Sequence, residues 1–189
     1  MAIQKKVDTW KLKKWYSVYA PKAFNNALVG EMPANEDKLA MNRNIVVSLD
    51  QLTRNPAHAY TNVVLKVTDI EGTAAHTRII AIQQLHSYIR SLVRRYRSIV
   101  VLVQPTTTSN GDKMVIKLLA ITRGRTAHSK ILGIRAEMSQ LTSDYFKAND
   151  SDAVISAIIE GKFQAELAGK LSHIAQLNKL EVRKLEIKQ

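Results

Sequence analysis

A chain of 189 residues with 28 Lys plus Arg against 16 Asp plus Glu carries a formal charge of +12 and a pI near 10.0, which points to a polyanionic partner. Its 46% hydrophobic content supports a packed core and excludes a wholly disordered basic tail, and the length suits one domain with a small appendage rather than two large domains. Cysteine is absent, so disulfides, thiolate zinc sites and cysteine nucleophiles are excluded, and Ile99 to Val103, the longest purely apolar run, falls far short of the about 20 residues a membrane helix needs.

The charge is segregated. Residues 1–29 hold six basic residues and one acidic, residues 85–135 hold ten basic residues against Asp112 alone, and the rest of the chain is nearly balanced. Localised positive charge of this kind reads as a binding surface rather than a solubility device.

Residues 1–30 combine Lys5, Lys6, Lys11, Lys13, Lys14 and Lys22 with Trp10, Trp15, Tyr16, Tyr19 and Phe24 at no clean helical or strand period. They are expected to form an extended basic aromatic arm, ordered by a partner and clipped first by proteases when free. Lysines interrupt its apolar residues, so no signal peptide is expected and the expected location is cytoplasmic. A loop follows between Gly30 and Asn44, around Pro33 and the Asn35, Glu36, Asp37 cluster. Residues 31–189 are expected to make one α+β domain, β-rich over 43–122, helical over 126–175 and closed by a final strand at 180–188.

Within the β-rich part, Ile45 to Leu49 and Tyr60 to Ile70 have strand period and propensity, and Glu71-Gly72 turns the second into Ala74 to Ile82 as a hairpin. Leu85, Tyr88, Ile89, Leu92, Val93 and Tyr96 recur every three or four residues, which predicts an amphipathic helix from Leu85 to Tyr96. Arg90, Arg94 and Arg97 then share the opposite face as one exposed ridge, with Arg95 at its boundary. A second hairpin is expected from Ile99 to Thr106 and Lys113 to Thr122, with Asn110-Gly111 supplying a type I′ turn. Ile131, Ile134 and Met138 predict a helix from Ser129. Ser151 can cap a further helix that Gly161 ends, and Phe163, Leu167 and Leu171 mark a third. The fold class is therefore α+β: a small antiparallel β-barrel or sandwich-like body, an amphipathic helix between hairpins, helices near the C-terminus and the basic arm.

No catalytic motif appears. His58, His76, His86, His128 and His173 show no metal-ligand spacing, the seven glycines form no nucleotide-binding loop, and no serine sits in a nucleophile elbow. Asp50, Asp69, Glu71 and Asp112 would have to converge to make a metal-dependent RNA-processing site, the enzymatic alternative; a free RNA-binding regulator is the other. No cofactor, metal, membrane or small-molecule substrate is expected. Arginines uninterrupted by acids suit phosphate, and Trp15, Tyr16 and Tyr19 beside lysines suit stacking on unpaired bases, which structured RNA exposes. Arg123 and Arg125, flanking Gly124, and Lys130 extend the candidate surface.

The run Lys13-Lys14-Trp15-Tyr16-Ser17-Val18-Tyr19-Ala20-Pro21-Lys22-Ala23-Phe24-Asn25-Asn26 resembles the opening signature of the small-subunit ribosomal protein family "S one e" of archaea and eukaryotes. Val47-Ser48-Leu49 with Leu52-Thr53, then Tyr88 to Arg95, then Lys179 to Leu185 extend the likeness collinearly over nearly the whole chain, and the short length resembles archaeal members. The resemblance implies a β-barrel-like body seated on the small-subunit platform near the messenger exit and the 3′ end of the rRNA. It implies contacts with rRNA, with neighbouring small-subunit proteins and with messenger RNA near the exit, and no catalysis. By that likeness, Lys13 to Lys22 and Arg90, Arg94 and Arg95 are expected rRNA contacts.

Overall fold

The computed structural model describes residue 10 and residues 13–188. The chain divides between Ile80 and Ala81 into two compact units. The first holds β1 (Lys14–Tyr19), β2 (Leu28–Ala34), α1 (Asp37–Ala40), β3 (Asn44–Ser48), α2 (Leu49–Thr53), β4 (Thr61–Glu71) and most of β5 (Ala74–Gln84).

In this unit β1 pairs antiparallel with β2, Trp15 opposite Pro33 and Val18 opposite Gly30, and parallel with β5 through Ser17 to Tyr19. Tyr16 and Val18 point inward against Met32, Ala34, Ala40, Val67 and Ala75. The expected arm is thus corrected over Lys14–Tyr19, which is a sheet strand with a buried face. The period was hidden because the outward positions Trp15 and Tyr19 are aromatic too, so hydrophobicity does not alternate although burial does. Lys5, Lys6 and Lys11 lie outside the described residues. The β4–β5 hairpin forms as expected, its turn held by Gly72 at φ 61°.

The second unit contains α3 (His86–Leu92), β6 (Ile99–Thr107), β7 (Lys113–Thr122), α4 (His128–Ala148), α5 (Ser151–Glu160), α6 (Lys162–Leu171) and β8 (Leu177–Lys188). The end of β5 pairs with β8 over Ala81 to Gln83, β8 with β7, and β7 with β6, all antiparallel. β6 has no further partner strand among the described residues, so the expected barrel closure is replaced by an open sheet. Pro105 within β6 lacks the N–H a further strand would need, which suits an edge. α4 covers one face of β6 with Ile134, Met138, Thr142 and Phe146 buried at four-residue spacing, and α6 packs on β8 through its buried stripe Phe163, Leu167 and Leu171.

Four local expectations change. The loop expected between Gly30 and Asn44 instead holds the end of β2, paired to β1, and the short α1. The helix between the hairpins stops at Leu92, and Tyr96 adopts the left-handed region at φ 63°. Only Ile89 is buried on it, packed against Leu119 and Ile121, and extending the helix would stack Arg90 over Arg94 as like charges one turn apart. In the β6–β7 turn Gly111 alone has positive φ, 85°, whereas a type I′ turn needs two such residues; the Gly111 N–H closes a turn on the Thr108 carbonyl at 3.0 Å instead. Asp150, not Ser151, is the N-cap of α5, and its carboxylate accepts from the Ser109 hydroxyl. Gly161 ends α5 as expected, at φ 78°.

Candidate nucleic-acid interface

The register of β6 and β7 places Ile99 opposite Ile121, so the segment before β6 and the segment after β7 meet at one end of the hairpin. Ser98 is the clasp. Its N–H donates to Thr122 Oγ1 at 3.0 Å, its hydroxyl accepts from the Thr126 N–H at 3.0 Å, and its carbonyl accepts from the Thr122 N–H at 3.0 Å. The Thr122 hydroxyl donates to the Gly124 carbonyl at 2.6 Å, and the Arg123 N–H donates to the Gln176 carbonyl at 3.0 Å. These bonds fix the loop 123–127 beside Arg97.

Two basic clusters about 28 residues apart in sequence therefore share one surface. Arg94, Arg95, Arg123, Arg125 and Lys130 are exposed and Arg97 is half-buried. Among the described residues none of them forms an ion pair with an acid, whereas Lys162, Lys170, Lys179 and Lys184 elsewhere each pair with a glutamate. Clustered cations without acids repel one another, so their juxtaposition costs folding energy that an anionic ligand would offset. α4 starts beside them, and its first-turn N–H groups add partial positive charge. Gly124 has no atom within 4 Å of where a Cβ would stand, which leaves the loop open to solvent on that side. The expected helical ridge is corrected accordingly: Arg90 is exposed on α3, whereas Arg94, Arg95 and Arg97 lie in the turn after it.

Lys179 shows the contrast. It reaches the same end of β8, opposite Ile121, but its ammonium donates to Glu181 at 2.9 Å and to the Tyr88 hydroxyl. Glu181 also accepts from Tyr88 at 3.0 Å and from Gln84 at 2.5 Å, tying α3 to β8. Burial, with Glu181 beside it, raises the Tyr88 pKa. Burial pulls the Lys179 ammonium down, and its bonds to Tyr88 and Glu181 outweigh that and raise it. This lysine is engaged within the protein.

The aromatic residues of β1 separate by role. Tyr16 is fully buried and its hydroxyl donates to Asp37 at 2.5 Å, so it anchors the strand and presents no ring for stacking. The bond to Asp37, reinforced by burial, pushes its pKa above the ordinary tyrosine value. Tyr19 is half-buried and stacks on His76, ring centres 6.0 Å apart. Trp15 is 52% exposed and meets Trp10 edge to face, and Lys13 sits 4.2 Å over the Trp10 ring. Lys14 and Lys22 are exposed. The first unit thus offers a small face of Trp10, Lys13, Lys14 and Trp15, with Tyr16 removed from it. Among the described residues no three His, Asp or Glu side chains gather as a metal site, so Asp50, Asp69, Glu71 and Asp112 make no such cluster.

An α+β scaffold that gathers uncompensated arginines at the end of a hairpin defines a class, the basic proteins that mount cations for a polyanion. A family model described as the Ribosomal S3Ae family matches residues 2–189. The chain is 34% identical over 189 residues to the small ribosomal subunit protein eS1 of Pyrobaculum neutrophilum, covering 99% of this chain and 84% of that one. It is 34% identical over 181 residues to the protein of that name from Sulfolobus acidocaldarius (95% and 92% covered), and 32% over 180 residues to that of Sulfurisphaera tokodaii (95% and 93%). The chain belongs to the Ribosomal S3Ae family, whose members are structural rather than catalytic, and the three relatives named above are archaeal. No helix among the described residues is long and apolar enough to cross a membrane.

Proposed function

We propose that this chain is an rRNA-binding structural constituent of the small ribosomal subunit in the cytoplasm, with the arginine surface of its second unit as a principal RNA contact. The single observation that carries the reading is the clasp of Ser98 on Thr122 and Thr126, which holds Arg97 beside Arg123 and Arg125 with no acid among the described residues paired to them. Arginine grips phosphate oxygens two at a time, and neutralising them releases condensed counterions. The relatives named as small ribosomal subunit protein eS1 support the assembly in which such RNA is met. The finer placement, on the platform near the rRNA 3′ end and the messenger exit with neighbouring small-subunit proteins around it, follows the family likeness of the sequence.

The test is a charge-reversal series, Arg94→Glu, Arg97→Glu, Arg123→Glu and Arg125→Glu, titrated against small-subunit rRNA over a range of salt. Each lost phosphate contact flattens the plot of log affinity against log salt by about 0.7 to 0.9. A slope equal to the parent's in all four variants would remove this surface from the interface.

A further inference from the structure

Tyr96 lies between Arg95 and Arg97, is 84% exposed and holds φ at 63°. Left-handed backbone at a bulky non-glycine residue is strained, and such strain persists only where surrounding structure enforces it. Here the enforcing structure is two residues away, where Ser98 is bonded to Thr122 and Thr126 and β6 begins. The ring gains nothing from packing, and among the described residues it has neither a ring partner nor a hydrogen bond. A large apolar ring displayed to water from a strained, anchored turn has no reason in the stability of this fold.

The surroundings supply one in recognition. Exposed Arg94 and Arg95 precede the ring, and the loop bearing Arg123 and Arg125 is clasped to its base; among the described residues none of these arginines is ion-paired with an acid. An aromatic face among cations suits a nucleotide, whose base is flat and whose phosphates are anionic, better than it suits a protein segment, which would have to bring acids to match. Base-paired RNA buries its base faces and an unpaired nucleotide exposes them. We propose that Tyr96 is a stacking platform for one unpaired rRNA nucleotide, with the flanking arginines holding the adjacent phosphates. This rests on the RNA-binding reading above and adds to it a site and a class of ligand, single-stranded rather than duplex RNA.

The experiment uses the full chain, a transcript of full-length small-subunit rRNA from the source organism, and a blunt, perfectly paired RNA duplex as the second probe. Tyr96→Ala is expected to weaken binding to the rRNA about 5- to 150-fold, to leave duplex binding unchanged and to keep the parent salt slope, since no phosphate contact is lost. Tyr96→Phe keeps the ring and is expected to bind like the parent. Tyr96→Gly relieves the backbone strain and removes the ring, so it must lose rRNA affinity as the alanine variant does, although it folds at least as well. Equal rRNA binding by Tyr96→Ala and the parent, with Arg97→Glu still weakened, would overturn the stacking site and leave the arginine surface standing. Equal losses on rRNA and duplex would overturn it too, by making the ring a structural support. Parent-like binding by both Tyr96→Ala and Arg97→Glu would overturn this proposal and the RNA-binding surface together.

Discussion

The two basic stretches of this chain look alike as composition and fold into opposite arrangements. The N-terminal one, with its lysines and aromatics, runs into β1 of the first unit, where Tyr16 is buried and bonded to Asp37 and Tyr19 leans on His76. The second keeps Arg94, Arg95, Arg123 and Arg125 outside helix and strand at one end of a hairpin in the other unit, exposed and without acidic partners among the described residues. Uncompensated charge is a dependable sign of surface because burying it unpaired is prohibitive, whereas an aromatic ring is as much at home in a core as on a nucleobase. Of the two signals, charge therefore located an exposed surface, and aromaticity located a strand.

That contrast can be broken most forcefully at Tyr16. Tyr16→Ala is expected to destabilise the protein by about 3 to 5 kcal/mol in urea unfolding, as removal of a fully buried aromatic does, with rRNA affinity of the folded fraction unchanged. Tyr16→Phe, which deletes only the hydroxyl bond to Asp37, should cost about 1.5 to 3 kcal/mol. A variant that folds normally and binds RNA weakly would reverse the roles assigned to the two regions.

Arginine substitutions should show the mirror image. Arg94→Ala and Arg125→Ala are exposed changes without partners among the described residues, so each should shift stability by less than about 0.5 kcal/mol while flattening the salt dependence of rRNA binding. Lys179→Ala, at the same end of the sheet, should leave that slope intact, because its ammonium is engaged by Glu181 and Tyr88.

The smallest expected effects lie in pH dependence. The folded state raises the Tyr16 pKa, so what that bond contributes is fully present below the ordinary tyrosine value of 10.0 and is lost as pH rises through the higher folded value. Tyr16→Phe should remove that part of the alkaline loss of stability. Glu186 behaves in the opposite sense: its hydrogen bond with Lys184 outweighs the opposing effect of burial, Lys117 and Lys188 assist, and its pKa is lowered from 4.5. Its contribution is present above 4.5 and lost as pH falls through the lower folded value, and Glu186→Gln should flatten the acid limb of the stability profile.

Much of the fold was legible because it is local. Alternation in Val63, Leu65 and Val67, four-residue spacing in Phe163, Leu167 and Leu171, and glycines at positions 72 and 161 act within a few residues of themselves. The inward face of β1 was not, because Trp15 and Tyr19 mask its period, and neither was the early end of α3, where apolar spacing continues into Val93 and Tyr96 although both are exposed. The candidate site was half legible: each arginine could be named, but their meeting depends on the register that sets Ile99 against Ile121 and on Ser98 finding Thr122 and Thr126. Those are long-range contacts, invisible to a window of sequence. Tyr96, within Arg-Arg-Tyr-Arg, fits the same helical spacing as Leu85 to Val93, although the helix ends four residues before it.

Arginine footprinting probes the central claim most directly. The free protein and intact small subunits from the source organism would be treated with an arginine-selective dicarbonyl reagent and modification read residue by residue by mass spectrometry. Arg94, Arg95, Arg123 and Arg125 should react readily in the free chain, where they are exposed, and be protected in the subunit until its RNA is digested by nuclease. Equal reaction of these four in the free chain and the intact subunit would contradict the account.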